Sequence, residues 1–267
     1  MTLQWPMYDM LFLACMTPLL QSIIAVGAIS LVSLIGITTL SLKEVFLRRI
    51  LFLLISLAAG ALLGDAFIHL LPEAFEETQS PLLVSLLTLA GILSFFLLEK
   101  FLHWHHSHGE EEFSPEHARI HPVGNLVIVS DGVHNLIDGL AIGAAFMIST
   151  EIGIATTVAI ALHEIPQEIS DFGLLLHAGF SRSKALLVNF FSALTAFIGL
   201  GIAFWLGEMH AMFVPLISAF AAGNFIYIAL ADLVPELQKT KSTKRSTMQF
   251  FVILVGMGVM VLLLGLE

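Results

Sequence analysis

Residues 129–146 read V-S-D-G-V-H-N-L-I-D-G-L-A-I-G-A-A-F, and residues 159–172 read A-I-A-L-H-E-I-P-Q-E-I-S-D-F. Both stretches are apolar enough to form buried helices, yet they hold two histidines and several carboxylates without any lysine or arginine. Each acidic side chain near the middle of a membrane-spanning helix costs roughly 2.5–3.5 kcal/mol. The two stretches therefore predict a functional site at the centre of a helical membrane protein.

The composition of the whole chain also places it among membrane proteins. Its 267 residues are 57% hydrophobic and 12% charged, which is too little charge to cover the surface of a soluble domain. The single cysteine excludes a disulfide framework and a cysteine-rich metal site. The first nine residues carry no Lys or Arg, so we expect no cleavable signal peptide. The net charge of −10 says little about partners because many acids lie in apolar segments, and we expect no nucleic-acid partner.

The apolar pattern predicts an all-α integral membrane protein with eight transmembrane helices, in a single domain that covers residues 1–267. Five spans are free of Asp, Glu, Lys and Arg and lie within 10–42, 78–98, 185–207, 209–231 and 246–266. Three more spans contain ionisable groups and lie at 50–73, 122–148 and 152–179. The spans are numbered one to eight in chain order.

All eleven Lys and Arg residues fall in or beside alternate connections between these spans. Connections 1–2, 3–4, 5–6 and 7–8 hold them, whereas the other connections and both tails hold none. By the positive-inside rule the basic connections are cytoplasmic, so both termini are extracytoplasmic. The compact length and short loops favour a multi-pass protein of a bacterial plasma (inner) membrane.

Helical periodicity brings the ionisable residues of span four onto one face. His134 and Asp138 are four residues apart and share that face, with Asp131 one turn earlier. Asn135 lies beside His134, rotated by about 100 degrees. The next residues add Gly139 and Gly143, a spacing that favours close helix packing and would let span five approach.

Span five carries a matching set of polar side chains. His163 and Gln167 are four residues apart and share a face. The neighbouring acidic stripe consists of Glu164, Glu168 and Asp171. Pro166 frees the backbone carbonyl of Leu162, either to bind a metal, water or side chain or simply as part of a kink.

No Lys or Arg lies in any span, so salt bridges within the membrane cannot neutralise these carboxylates. Protonation or a bound cation remains. Imidazole together with carboxylate suits divalent Zn, Fe, Mn, Co or Cd. The donor set fits poorly with Mg and Ca, which take oxygen ligands, and with Cu(I), which prefers sulfur.

Spans two and seven supply further polar groups for a cation pathway. Span two has Asp65, His69 and Glu73, each four residues apart. Span seven has Asn224 in its outer half and Asp232 and Glu236 at its inner end. Solvation of helix ends is the alternative explanation, above all for Glu73 and Glu236.

Two longer-range patterns complete the prediction. The segments H-N-L-I-D at 134–138 and H-E-I-P-Q at 163–167 lie on antiparallel helices, which predicts an inverted repeat around spans four and five. The 3–4 connection carries H-W-H-H-S-H-G-E-E-E from residue 103, followed by His117 and His121. We predict a His-rich cytoplasmic loop at 103–121 that either holds metal weakly or is a solvated polar loop.

With these residues in place, the chain resembles the ZIP (Zrt/Irt-like) family of divalent metal-ion transporters, over essentially its whole length and as a bacterial member. The most specific segments are H-N-L-I-D-G at 134–139 and H-E-I-P-Q-E-I-S-D-F at 163–172. Segments 64–75 and 223–236 resemble the branch of the family whose fifth helix reads H-E-x-P-H-E-x-G-D.

The resemblance implies a metal centre between spans four and five. Its primary positions are His134, Asp138, His163 and Gln167. An adjacent second position is implied at Asn135 and Glu164, with Asp138 and Gln167 bridging. Gln167 stands where the family usually has His or Glu, and Ser170 replaces the usual Gly. Because span six contains no acid, we expect one strong site and at most one transient second site.

We therefore predict a transporter, and not an enzyme, that moves a divalent transition metal into the cytoplasm. Zn²⁺ is the expected cargo, with Fe²⁺, Mn²⁺ and Cd²⁺ as other candidates, and no resident cofactor is expected. The predicted pathway residues are Asp65, His69, Asp131, Glu168, Asp171, Asn224 and Asp232. Membrane lipid is the other expected partner, and the sequence leaves a homodimer open.

Two other functions remain open at this stage. One is an intramembrane metalloenzyme, because H-E-I-P-Q at 163–167 is superficially similar to the H-E-x-x-H motif, although Gln167 stands where the second His is required. The other is a metal sensor or a metal exporter.

Overall fold

The computed structural model describes residues 17–36, 44–109, 122–210 and 212–265, and every regular element in these ranges is helical. The helices are α1 (Pro18–Val32), α2a (Glu44–Asp65), α2b (Leu71–Thr78), α3 (Pro81–Gly109), α4 (Pro122–Ile148), α5 (Thr150–His177), α6a (Arg182–Ala193), α6b (Thr195–Met209), α7a (Phe213–Tyr227), α7b (Val234–Gln238) and α8 (Thr243–Leu264). A 3-10 turn (Ser33–Ile35) extends α1. The predicted all-helical fold class is confirmed within these ranges.

Seven helical rods of the described chain are long and apolar enough to cross a membrane. They correspond to predicted spans one to four and six to eight. Helix α5 is not among them, because its histidine, glutamine and acidic side chains lower its mean hydropathy. Of the predicted His-rich loop, the backbone of 103–109 continues α3, and residues 110–121 lie outside the described ranges.

The connection between α4 and α5 is a single residue, Ser149. Its side-chain oxygen accepts a hydrogen bond from the backbone N–H of Ile152 at 3.1 Å, which caps the first turn of α5. So short a connection forces the two helices to run antiparallel and to pack against each other. The polar stripes of spans four and five consequently lie at one helix–helix contact.

Two helices contain a π-helical segment directly before a proline. Ala66–Leu70 joins α2a to α2b just before Pro72, and Ile228–Leu233 joins α7a to α7b just before Pro235. Proline lacks the N–H that would continue the α-helical hydrogen-bond ladder, and a wider turn accommodates this loss. The sequence L-P-E at 71–73 and the sequence V-P-E at 234–236 thus each follow the same kind of backbone distortion.

Three helix pairs pack through glycines that face the partner backbone. The pairs are Gly60 of α2a with Gly256 of α8, Gly91 of α3 with Gly223 of α7a, and Gly139 of α4 with Gly199 of α6b. At each position an added Cβ would collide with a backbone carbonyl oxygen of the opposite helix. In a membrane, where no hydrophobic effect drives helices together, such close backbone approach supplies the packing energy.

The small residues of α4 serve a different neighbour from the one we predicted. A Cβ at Gly139 would collide with the carbonyl of Ala196, and one at Gly143 would meet the side chains of Ala203 and Leu200. All three partners belong to α6b, so this surface brings α4 close to α6b and not to α5. The tight turn at Ser149 holds α5 against α4 instead.

Burial separates inner helices from peripheral ones. Half of the residues are buried in the spanning parts of α4 and of α2, the rod formed by α2a and α2b. In α7, the rod formed by α7a and α7b, 56% are buried, whereas in α3 and α8 only 17% are. Large apolar side chains of α3 such as Leu82, Leu89 and Leu97 are more than half exposed. The polar cluster therefore lies among α2, α4, α5 and α7, and α3 and α8 form part of the outer surface.

The glycine contacts predict a difference between two neighbouring positions of α6b. Gly199→Ala places a Cβ against the carbonyl of Leu136, whereas Gly201→Ala meets no described atom within 4 Å. We expect Gly199→Ala to lower the free energy of unfolding by about 1–3 kcal/mol through overpacking. Gly201→Ala should be neutral or slightly stabilising because Ala is the better helix former. Thermal unfolding of both variants in detergent would measure this, and equal midpoints would contradict the proposed packing.

Candidate metal centre

Four side chains of α4 and α5 converge at the contact between these helices: His134, Asp138, His163 and Glu164. The Nε2 atoms of the two histidines lie 3.0 Å apart. Oδ2 of Asp138 lies 3.6 Å from Nε2 of His134 and 3.4 Å from Nε2 of His163. Oε1 of Glu164 lies 3.6 Å and 3.5 Å from the same two atoms.

These separations match those of a four-coordinate metal ion. Zinc bonds to imidazole nitrogen and carboxylate oxygen are about 2.0–2.2 Å long, so ligand atoms at the corners of a tetrahedron lie about 3.4 Å apart. The five separations above range from 3.0 to 3.6 Å. Small movements of side chains would therefore place all four atoms around one ion.

The orientation of His163 also suits metal binding. Its Nδ1 lies 3.2 Å from the carbonyl oxygen of Ala159, one turn earlier on α5. When Nδ1 carries the proton and donates it to this carbonyl, the lone pair of Nε2 points into the cluster. The ring of His134 is held by an edge-to-face contact with Phe95 of α3, with ring centroids 5.3 Å apart and planes at 81°.

The carboxylates of the cluster lack other stabilising partners. Asp138 and Glu164 are each 1% exposed, and both oxygens of Asp138 and Oε1 of Glu164 make no hydrogen bond within the described residues. Burying an ionised carboxylate without compensation is strongly unfavourable. A divalent cation between the two carboxylates and the two imidazoles would remove this penalty.

A cavity of about 750 Å³ leads from this cluster to the protein surface. His134, His163 and Gln167 line its deep end, and it continues past Asp131, Asp171 and Asp232. It ends at Lys239 and Arg245 in the α7b–α8 region, where the side chain of Lys239 is 72% exposed. Three aspartates thus line a path whose other lining side chains are largely apolar, and Lys239 and Arg245 lie at its mouth together with Glu236.

The side of the cluster away from this cavity is formed by buried polar residues. On this side, Asp65 and Asn224 are completely buried and His69 is 2% exposed. Nδ1 of His69 lies 3.3 Å from Oδ1 of Asp65, within the turn where the π-helical segment begins. Oδ2 of Asp65, Nε2 of His69 and Nδ2 of Asn224 have no hydrogen-bond partner among the described residues. This side is a closed layer that contains unsatisfied polar atoms.

Helix α6a supplies two donors that the sequence analysis did not identify. Nδ2 of Asn189 donates to Glu168, and the hydroxyl of Ser192 donates to Asp131. Asn135 also donates to Oδ1 of Asp131 at 2.8 Å. The signal in the sequence was a set of neutral polar residues at three-residue spacing in an otherwise apolar span, namely Asn189, Ser192 and Thr195.

The remaining predicted residues have distinct placements. Asn135 is fully buried, and its Oδ1 makes no hydrogen bond within the described residues. Glu168 is 1% exposed and does not line the cavity, unlike Gln167 and Asp171. Oδ1 of Asn224 accepts a hydrogen bond from the hydroxyl of Ser94 at 3.4 Å. Four of the six predicted ligands thus converge on one point, and Gln167 lines the adjoining cavity. The predicted pathway residues other than Glu168 divide between the open cavity and the buried layer.

The cluster geometry predicts which histidine of α5 binds metal. We expect His163→Ala to weaken Zn²⁺ binding by at least about tenfold, because it removes one of four converging donor atoms. His177→Ala is the matched control, since His177 lies on the same helix and is exposed. Isothermal titration of the purified protein in detergent would compare the two. Unchanged affinity in His163→Ala would place the zinc elsewhere.

The hydrogen bond between Asn189 and Glu168 predicts a stability effect. Asn189→Leu leaves a buried carboxyl group without its donor, which should cost about 1–3 kcal/mol of unfolding free energy. Asn125→Leu is the control, because Asn125 is exposed on α4. Adding Glu168→Leu to Asn189→Leu should recover part of the loss, and thermal unfolding would measure all three. If Asn189→Leu were as stable as Asn125→Leu, the hydrogen bond between Asn189 and Glu168 would make no contribution to the free energy of unfolding.

The chain is similar to the proteins of one family over most of its length. The family described as "ZIP Zinc transporter" matches residues 16–123 and 104–264. Zinc transporter ZIP13 of Pongo abelii is 36% identical over 227 residues, covering 78% of this chain and 65% of the relative. Zinc transporter ZIP4 of Homo sapiens is 35% identical over 256 residues, covering 71% of this chain and 39% of the relative. Zinc transporter YKE4 of Saccharomyces cerevisiae is 31% identical over 244 residues, covering 80% and 70%.

The chain thus spans less than two thirds of the ZIP13 and ZIP4 relatives it matches. The family match nevertheless extends over nearly all of the described residues, including α4, α5 and the cluster between them. With seven helices in its described part that are long and apolar enough to cross a membrane, the chain is a multi-pass membrane protein, and it belongs to the ZIP zinc transporter family.

Proposed function

We propose that this protein transports divalent transition-metal ions, zinc first among them, into the cytoplasm through the α4–α5 cluster. The observation that carries the proposal is the position of the cluster. Of the four converging donor residues, His134 and His163 line the deep end of the open cavity. On the other side of the cluster, Asp65, His69 and Asn224 are buried. A site that is exposed to one side of the membrane at a time is what alternating access requires.

The cargo follows from the donor atoms and from the relatives. Two imidazoles with two carboxylates suit Zn²⁺ and also accept Fe²⁺, Mn²⁺ or Cd²⁺. The relatives named above are zinc transporters, which favours zinc. The names of the family and its relatives indicate a transporter rather than an enzyme, and the ion is cargo rather than a resident cofactor.

The proposed ligands are His134, Asp138, His163 and Glu164, with Gln167 and Asn135 as neighbouring ligands. Gln167 lines the cavity next to the cluster. Asn135 keeps one side-chain oxygen free of hydrogen bonds while its amide group is bound to Asp131. An ion could therefore pass from the four-atom cluster to an adjacent position without losing all protein ligands at once.

The outer part of the proposed path is formed by Asp65, His69 and Asn224. All three are buried and hold polar atoms without hydrogen-bond partners in the described chain. Such atoms are costly in a closed layer and are relieved when water or a cation reaches them. We infer that this layer opens to admit the ion in the alternate conformation.

The inner part of the proposed path is the open cavity. Asp131, Asp171 and Asp232 line it and attract a cation that leaves the cluster. Glu168 is bonded to Asn189 and lies outside the cavity lining, so we assign it to holding α5 against α6a in this conformation. Moving two charges inward gains roughly 4.6 kcal/mol per 100 mV of inside-negative potential, which favours uptake.

The proposed membrane arrangement has eight spans. The eighth is α5, whose polar side chains make its composition less apolar than that of the seven helices described above. Support comes from α5 itself, which follows α4 after one residue and is 28 residues long. A 28-residue helix is about 42 Å long and can cross the bilayer. Both termini are then extracytoplasmic, and the open cavity faces the cytoplasm because it ends among Lys239 and Arg245.

Other parts of the proposal rest on the sequence pattern. The plasma membrane, a bacterial source, a homodimer and an inverted repeat around α4 and α5 stay predictions. The relatives compared above come from an ape, a human and a yeast. For the inverted repeat, the shared π-helical segments of α2 and α7 are additional support.

Zinc flux into proteoliposomes that contain a metal-sensitive dye tests the function. We expect saturable uptake by the wild type and its loss in the double variant His134→Ala/His163→Ala, because two of four donors disappear. His177→Ala/His210→Ala removes two exposed histidines and should retain flux.

Two other outcomes would contradict transport through the cluster. Equal flux in both double variants would place the path elsewhere. Folded wild-type protein that binds zinc but gives no flux would favour a sensor or another function.

A further inference from the structure

A second cavity lies outside the metal path, on the surface of the helix bundle. It has a volume of about 770 Å³ and is formed by three helices. Its lining includes Phe95, Leu97 and Lys100 of α3, Val133 and Ile137 of α4, and Phe220 of α7a. Its volume lies within the range of about 300–1,000 Å³ that is common for ligand sites. We call this cavity the lateral groove.

The lateral groove is apolar except at one end. Lys100 is the single charged side chain that lines it among the described residues. The apolar span of α3 ends at Leu98, so Lys100 lies two residues beyond it. Its ammonium group lies 5.5 Å from the ring centroid of the exposed Phe96. A cation just past the end of an apolar span lies at the level of lipid phosphate groups.

The two features together match the chemistry of one kind of molecule. An anionic phospholipid has a phosphate at the membrane interface and an acyl chain that extends toward the bilayer centre. In the lateral groove, Lys100 would hold the phosphate, and the apolar walls of α3, α4 and α7a would hold the chain. We propose that the lateral groove is a binding site for an anionic phospholipid.

The lateral groove is separated from the metal cavity by a thin wall. Phe95 and Leu98 line both cavities. Phe95 is only 5% exposed and its ring contacts that of His134, with centroids 5.3 Å apart. An acyl chain in the groove packs against Phe95 on the side away from the metal cavity, and the contact between the two rings then restricts the motion of His134. Bound lipid is therefore expected to influence metal transport, and this second part rests on the proposed function.

Lipid retention tests the binding site directly. Native mass spectrometry would count phosphatidylglycerol molecules that remain on protein purified from mixed phosphatidylglycerol and phosphatidylcholine micelles. Lys100→Gln should weaken this retention about fivefold, the usual contribution of one basic residue to binding an anionic lipid. Lys184→Gln is the matched control, since Lys184 also lies over a phenylalanine ring, 5.0 Å from that of Phe180, but does not line the lateral groove.

A variant that fills the groove gives an independent test. Val133 is 37% exposed and lines the groove, and Val133→Phe should displace the lipid while the protein still folds. Equal retention by the wild type, Lys100→Gln and Lys184→Gln would overturn the proposal. A dimer in the same spectra that Val133→Phe dissociates would also overturn it, because a second copy would then cover the groove.

Zinc flux tests whether bound lipid influences metal transport, separately from whether lipid binds in the lateral groove. Adding phosphatidylglycerol to phosphatidylcholine vesicles should raise flux in the wild type and Lys184→Gln and have a smaller effect in Lys100→Gln. The change in surface charge is the same for all three proteins, so the difference between them isolates the groove. If the wild type showed no flux in any vesicle, transport would be contradicted, whereas lipid retention would still decide the binding site. Equal stimulation of all three would disprove the link through Phe95.

Discussion

Two imidazoles and two carboxylates share one buried contact between α4 and α5, and no basic side chain compensates the acids. This imbalance is the constraint on which the rest of the structure depends. Removing one partner from a buried charged cluster is strongly destabilising, so the helices around it must hold each group close to a position that a cation can satisfy. The one-residue connection at Ser149 and the backbone contacts of α4 with α6b provide that rigidity.

The acids that lie nearest to the cluster are stabilised in a different way. Asp131 and Glu168 receive hydrogen bonds from neutral donors of α6a, and Asn135 adds a further bond to Asp131. These acids need no metal to compensate them in this conformation. Both oxygens of Asp138 and Oε1 of Glu164, in contrast, have no donor among the described residues, which distinguishes the ion-binding position from its surroundings.

Much of the fold and the core of the cluster followed from sequence because two strong signals were present. Apolar runs long enough to span a membrane predicted the helices, and the spacing of His134 to Asp138 predicted their shared face. The fourth donor of the cluster is Glu164, which was predicted for the adjacent second position, whereas Gln167 lines the cavity. Asn189 and Ser192 were not predicted as donors, because neutral polar residues in an apolar span carry no charge that would require a partner. The helix that packs against Gly139 was not predicted correctly either, since small-residue spacing predicts close packing but does not identify the neighbouring helix. The burial of Glu168 away from the cavity depends on its contact with Asn189, which periodicity within one helix cannot reveal.

The π-helical segments of α2 and α7 have a mechanical consequence. They lie on opposite sides of the cluster, one within the closed layer at His69 and one beside the open cavity at Asp232. A wide turn holds one more residue than an ordinary α-helical turn, and it can migrate along the helix by exchanging one backbone hydrogen bond for another. Each one-residue migration rotates the affected side chains by about 100 degrees. Either helix could therefore exchange a polar side chain for an apolar one at the path through a local crankshaft motion, while the glycine-packed backbones beyond it stay in place.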